Sequence, residues 1–110
     1  MPVQQSQERI KDYLKLQFDL PPEQIDTMIP SFISTLSEHL AHLESVLDQG
    51  DLSQLGKAGH TIKGALLNLG LHDCAKIAYS IEKKGKANEV GVDYRGLVAS
   101  LRKELSSYLD

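Results

Sequence analysis

Between Ile25 and Leu47 the apolar residues fall at Ile25, Ile29, Phe32, Leu36, Leu40, Leu43 and Leu47, in steps of three or four that keep them on one stripe of a helix. Pro21 and Pro22 suit the start of that helix and Gly50 its end. Pro30 lacks a backbone donor, so the pattern predicts either a kink there or a short first segment split from the rest. Asp51, with Gln54 three residues on, reads as an N-cap in a variant of the capping box. The helix it opens carries Leu52, Leu55, Gly59, Ile62, Leu66 and Leu69 on a bundle-like seam and closes at Gly70. Leu71, Cys74, Ala78 and Ile81 repeat the pattern in a segment expected to end at Gly85. After the polar connection from Lys86 to Gly91, the positions Tyr94, Val98, Leu101, Leu105 and Tyr108 predict a last helix. Ile10, Tyr13, Leu14 and Gln17 indicate a shorter one from about Ser6 to Phe18.

Strict apolar and polar alternation is absent, so no strand competes with these helices. Short connections between amphipathic helices make neighbours antiparallel. The expected fold is therefore all-α: an antiparallel up-down four-helix bundle with an additional short N-terminal helix.

Composition agrees, with seventeen leucines against five valines and 5% aromatic residues. A chain of 110 residues builds one core, so residues 1–110 are expected to form a single domain. The starting methionine and a last helix running to Asp110 favour a free-standing protein. Apolar runs such as Ala65-Leu66-Leu67 are far shorter than the ~20 residues of a membrane span, which predicts a soluble chain without membrane association. The lone Cys74 has no partner for an internal disulfide, in keeping with a reducing, cytoplasmic setting. A net charge of −3 argues against nucleic acid, which calls for a basic footprint.

The chemistry concentrates in Gly59-His60-Thr61-Ile62-Lys63-Gly64-Ala65-Leu66-Leu67-Asn68-Leu69-Gly70. At about 100° per residue, His60 points roughly 130° away from the apolar seam and so faces solvent. Its neighbours one turn away on that face are Gly56, Lys57, Lys63 and Gly64, with Leu67 two turns on. A glycine inside a helix costs about 0.8–1 kcal/mol relative to alanine, and this helix carries Gly56, Gly59 and Gly64. Gly59 on the seam would admit a neighbouring helix. Gly56 and Gly64 are expected to clear the outer face for another molecule to reach the ring. A free imidazole, with an ordinary pKa of about 6.5, is largely neutral at neutral pH and can attack phosphorus. A lysine beside it then offsets the incoming negative charge. The sequence shows no glycine-rich nucleotide loop, no acidic cluster for magnesium and no general base beside the histidine, so the missing parts must come from a partner.

His60-Thr61-Ile62-Lys63-Gly64, followed by Asn68-Leu69-Gly70, resembles the phosphorylatable helix of the histidine-containing phosphotransfer (HPt) domain family, whose pattern is His-x-x-Lys-Gly with a later Leu-Gly pair. Phe32, the leucines from Leu36 to Leu47, Gly50-Asp51, Ala78 and Ile81-Glu82 extend the resemblance over roughly residues 25 to 86. Gly59 stands where the family commonly has alanine, and Leu66 and Leu67 where it has small residues.

The resemblance implies that His60 takes a phosphoryl group from the aspartyl phosphate of a receiver domain and passes it to another receiver. It implies that Lys63 steadies the group, that Gly64 lets the receiver's loops approach, and that magnesium belongs to the receiver, the chain having no cofactor of its own. The expected partners are response-regulator receivers and a hybrid sensor histidine kinase, met by a monomer. Gly56, Lys57 and Leu67 are expected to widen the docking face. A helical adaptor using that face without carrying phosphate is the alternative from another class. A self-sufficient enzyme has no nucleotide or metal motif behind it.

Other residues read more plainly. His39 and His42 beside Glu38 form a solvated flank, since two histidines without further ligands do not make a closed zinc site. His72 opens a helix, Cys74 is a small core residue, and Lys83, Lys84 and Lys86 complement the carbonyls at a helix end.

Overall fold

The computed structural model describes residues 3–109, with side chains over 7–109; Asp110, to which the last helix was expected to run, lies outside the described residues. The chain forms α1 (Val3–Phe18), α2 (Pro22–Gln49), α3 (Leu52–Asn68), α4 (His72–Lys86) and α5 (Tyr94–Leu109), and no strand occurs among the described residues. Helix α2 packs on α3, α3 on α4, α4 on α5 and α5 back on α2, while α1 lies against α2 and α5. At about 1.5 Å per residue, the 28 residues of α2 span about 42 Å, nearly the 46 Å length of the molecule.

Local chemistry sets the helix ends. Pro22 opens α2 in its first turn, and Gly50 (φ 76°) closes it in the left-handed conformation that glycine adopts without a Cβ penalty. The Asp51 side chain accepts from Gln54 N at 3.1 Å, the cap expected for α3. Gly70 (φ 76°) ends α3, with Leu71 N–H donating to the Leu66 carbonyl at 3.0 Å. Asp93 caps α5 by accepting from Gly96 N at 2.9 Å.

Three expectations change and one is narrowed. Helix α2 is continuous through Pro30, which does not split it. Pro30 is exposed, and so is Asp26, whose carbonyl loses its partner, so water can take up the freed acceptor. The end of α4 is set by Asn88 (φ 56°), whose N–H donates to the Gly85 carbonyl at 2.9 Å, and not by Gly85, which is buried inside the helix. On α2 the stripe drifts at its C-terminal end, where Val46 is buried and Leu47 only half-buried. Gln17 is likewise exposed, leaving Ile10 and Leu14 as the anchors of α1.

The core runs along the axis between these helices. Ile25, Leu36, Leu40 and Leu43 of α2 meet Leu55, Ile62 and Leu66 of α3, Ile81 of α4, and Leu101 and Leu105 of α5, all almost fully buried. Each such side chain contributes about 1.5–3 kcal/mol of burial. The bundle therefore holds α3 and α4 rigidly side by side, and the residues with candidate chemistry lie along that pair.

Candidate functional site

Helices α3 and α4 approach closely because glycines line their contact. A Cβ placed on Gly56 would lie 2.6 Å from Lys86 N, and one on Gly85 would lie 2.7 Å from Gly56 N. Gly59 fits in the same way, with its Cβ position 2.9 Å from Glu82 N. This reverses the expectation for Gly56. It is buried against α4 and does not clear the outer face, because the drift of 3.6 residues per turn brings it round onto the α4 side of the seam. Gly64 keeps its expected place, with open space where a Cβ would be.

The approach brings Glu82 of α4 beneath His60 of α3. His60 is 61% exposed at its side chain and its Nδ1 lies 2.9 Å from Glu82 Oε2, whereas the Glu82 side chain is only 10% exposed. Two lysines share the same carboxylate. Lys86 Nζ is 3.1 Å from Oε2 and Lys63 Nζ 2.7 Å from Oε1, the latter an ion pair lying off the line of a regular hydrogen bond. Burial pushes the Glu82 carboxyl towards its neutral form, but contacts with Lys63, Lys86 and His60 outweigh burial and lower its pKa to about 2. It is ionised at every ordinary pH and can only accept. The proton between the pair therefore sits on Nδ1 of His60, so that in the neutral ring the lone pair is on Nε2.

Lys63 is held on a second side by the Tyr79 ring, whose centroid is 5.2 Å from Nζ. Tyr79 and Leu67 are exposed, and with Ala75, Lys76 and His72 they form an apolar shelf beside Lys63. On the opposite flank of α3, Thr61, Gly64 and Asn68 border a cleft of about 430 Å³ against Phe32, Thr35 and His39 of α2. Lys57 is exposed one turn before His60, and its carbonyl accepts from Thr61 Oγ1 at 3.2 Å.

Sequence reasoning thus located His60, Lys63, Gly64, Leu67 and Lys57 on one accessible face and missed Glu82. The packing of α4 on α3 puts a carboxylate beside the histidine, and with a pKa of about 2 it serves as a hydrogen-bond acceptor and not as the general base that the sequence lacks. Lys86, read only as a helix-end cation, pairs with the same carboxylate. A signal for Glu82 did exist: it follows Ile81 on the apolar seam, and a charge at a seam position needs partners. Elsewhere, Cys74 is buried, and burial raises its thiol pKa to about 11, which makes it an inert core residue. His39 is half-buried, His42 is exposed, and His72 packs edge-on to Tyr13. Among the described residues no group of three or more His, Cys, Asp or Glu side chains is arranged to hold a metal ion.

The family model for the Hpt domain matches residues 27–109. The chain belongs to the Hpt domain family. The match runs from α2 through α5, beyond the extent of the resemblance in the sequence, and leaves α1 outside it. No curated protein and no solved structure matches the chain. Hpt domains serve histidine phosphotransfer in two-component phosphorelays, where they carry phosphoryl groups and interact with receiver domains and kinases. No helix among the described residues is long and apolar enough to cross a membrane.

Proposed function

We propose that this Hpt domain relays a phosphoryl group between receiver aspartates through Nε2 of His60. One observation carries the reading: Nδ1 of the exposed His60 lies 2.9 Å from the ionised Glu82 carboxylate, which in the neutral ring puts the proton on Nδ1 and the lone pair on Nε2, while Lys63 pairs with the other oxygen of the same carboxylate. The neutral imidazole is thus fixed in the tautomer whose Nε2 lone pair can attack phosphorus. Lys63, held near the ring by Glu82 and Tyr79, offsets the charge of the arriving group. The open position at Gly64 gives a receiver's loops access, while Leu67 and Lys57 extend the docking face. Magnesium belongs to the receiver, and the chain acts as a monomeric carrier in the cytoplasm. The up-down antiparallel order of α2 to α5 follows from their short connections. A hybrid sensor histidine kinase supplies the first phosphoryl group and a response regulator takes the last.

The test is transfer from a phosphorylated receiver. The protein should acquire an acid-labile, base-stable label, and His60→Gln should acquire none. Binding to receivers without any transfer of label would instead make the bundle an adaptor, and label persisting in His60→Gln would move the acceptor elsewhere.

A further inference from the structure

We propose that Glu82 keeps the proton on Nδ1 of His60 after phosphorylation as well as before it, so that the phosphohistidine exists in its cationic, readily transferred form and the domain passes phosphate on without storing it. The proposal rests on the phosphocarrier reading of His60 and deepens it.

Once Nε2 carries phosphorus, a neutral ring would turn an Nδ1 lone pair towards the Glu82 oxygen 2.9 Å away. Two electron pairs would then face each other at hydrogen-bond distance. Glu82 cannot move aside, because it is nine-tenths buried and tied by Lys63 on one oxygen and Lys86 on the other. A proton on Nδ1 converts that repulsion into a charge-assisted hydrogen bond. The carboxyl does not take the proton itself, since its pKa of about 2 keeps it an acceptor.

The other charged groups around the ring leave this preference standing. From α3 there are Lys57 and Lys63, the second already paired with Glu82; from α4 there is Lys86, also paired with it, with Tyr79 alongside Lys63. From α2, His39 lies across the cleft bordered by Thr61 and Gly64. Helix α5 packs on α4, and its Arg95 and Arg102 pair with Asp48 and Glu44 of α2, while Glu104 lines a cavity with Arg9. A dianionic phosphoryl group on Nε2 adds negative charge next to the ring and strengthens the cation further.

The bond changes then need no proton exchange at the ring. In uptake, the Nε2 lone pair forms the N–P bond, the P–O bond to the donor carboxylate breaks, and that oxygen keeps the electron pair. Nδ1 retains its proton and the ring becomes an imidazolium. In release, an acceptor carboxylate oxygen forms a new P–O bond, the P–Nε2 bond breaks, and its electrons return to Nε2 to leave neutral imidazole. Without the Nδ1 proton the same release would expel an imidazolate anion, a far poorer leaving group.

Phosphoramidate can load the histidine with no receiver present, which makes the lifetime of the phosphohistidine measurable for wild type and Glu82→Gln as a function of pH. A glutamine amide can donate to an unprotonated Nδ1, so the variant removes the preference for the cation. The acid-lability limb should lie about one to two pH units higher in the wild type, making its phosphohistidine about tenfold or more shorter-lived at mildly alkaline pH. Nitrogen NMR of the phosphorylated wild type, which does not depend on how the variant folds, should show Nδ1 still protonated at mildly alkaline pH. Coincident lability profiles, or a wild-type ring already stripped of its Nδ1 proton at neutral pH, overturn the proposal and leave the phosphocarrier reading intact. Failure of His60 to accept phosphate at all overturns both.

Discussion

Two glycines of α3, read from the sequence as equivalent, should respond oppositely to alanine. At Gly64 an added Cβ meets nothing within 4 Å, so Gly64→Ala should gain the helix-propensity difference, about 0.5–1 kcal/mol. At Gly56 the same Cβ would stand 2.6 Å from Lys86 N and 3.0 Å from the Gly85 carbonyl carbon. These are main-chain atoms that cannot rotate away, so α3 and α4 must separate to accept it. Overpacking of this kind costs about 1–3 kcal/mol, and a site bounded by backbone belongs near the upper end. Subtracting the propensity gain leaves Gly56→Ala about 1–2 kcal/mol less stable than wild type, and about 2–3 kcal/mol below Gly64→Ala. Urea titration followed by helical circular dichroism resolves such a gap, and at this chain length each kcal/mol moves Tm by roughly 4 °C. Separation of α3 from α4 should also lengthen the His60–Glu82 contact, so Gly56→Ala should take up phosphate more slowly. A Gly56→Ala protein as stable as wild type would refute the close-packed glycine contact and the position it imposes on Glu82.

The ionised Glu82 also makes stability depend on pH. Its folded pKa of about 2 lies below the ordinary carboxyl value near 4.5, so its contribution is complete above that value and disappears as pH falls towards 2. The full shift corresponds to about 3 kcal/mol, which solvent at the exposed His60 and half-exposed Lys86 reduces to roughly 1–2 kcal/mol. Acid titration should therefore show wild type losing that much more stability than Glu82→Gln between about pH 5 and 2, and parallel acid limbs would contradict the buried ion network. Lys63→Gln removes a cation that shares the Glu82 carboxylate with His60, together with its contact to Tyr79, and should slow uptake from phosphoramidate by about 10- to 100-fold. An unchanged uptake rate would remove Lys63 from the site.

The helices were legible because each announces itself locally. The steps of three and four from Ile25 to Leu43, the Asp51 cap and the Gly50 and Gly70 stops each depend on residues within a turn or two, and all stand where they were read. Errors arose where a residue has two uses. Gly85 looks like a helix stop, but its missing side chain serves a neighbouring helix, and the stop falls to Asn88, whose left-handed conformation carries no strong sequence mark. Pro30 reads as either a kink or a split, and the split does not occur, because its lost bond faces water. The site divides in the same way. His60, Lys63 and Gly64 are neighbours on one helix and visible in a pentapeptide. Glu82 reaches His60 from twenty-two residues further along the chain, and only the packing of two helices joins them.

That packing links the structural glycines to the chemistry. A carboxylate is short, and to place one oxygen 2.9 Å from Nδ1 of an outward-facing histidine its helix must come unusually near. Gly56, Gly59 and Gly85 permit the approach, since a side chain at any of the three would strike the backbone of the facing helix. The helix propensity given up, about 0.8–1 kcal/mol at each glycine, is thus the cost of holding Glu82 under the ring. Once there, the carboxylate is too buried to stand alone, and Lys63 and Lys86 are the partners that keep it ionised. Lys63 thereby balances Glu82 in the unloaded protein and, in the proposed relay, would offset the phosphoryl charge as well. A lysine with only the second role would have no reason to lie 2.7 Å from a buried acid in the unloaded protein.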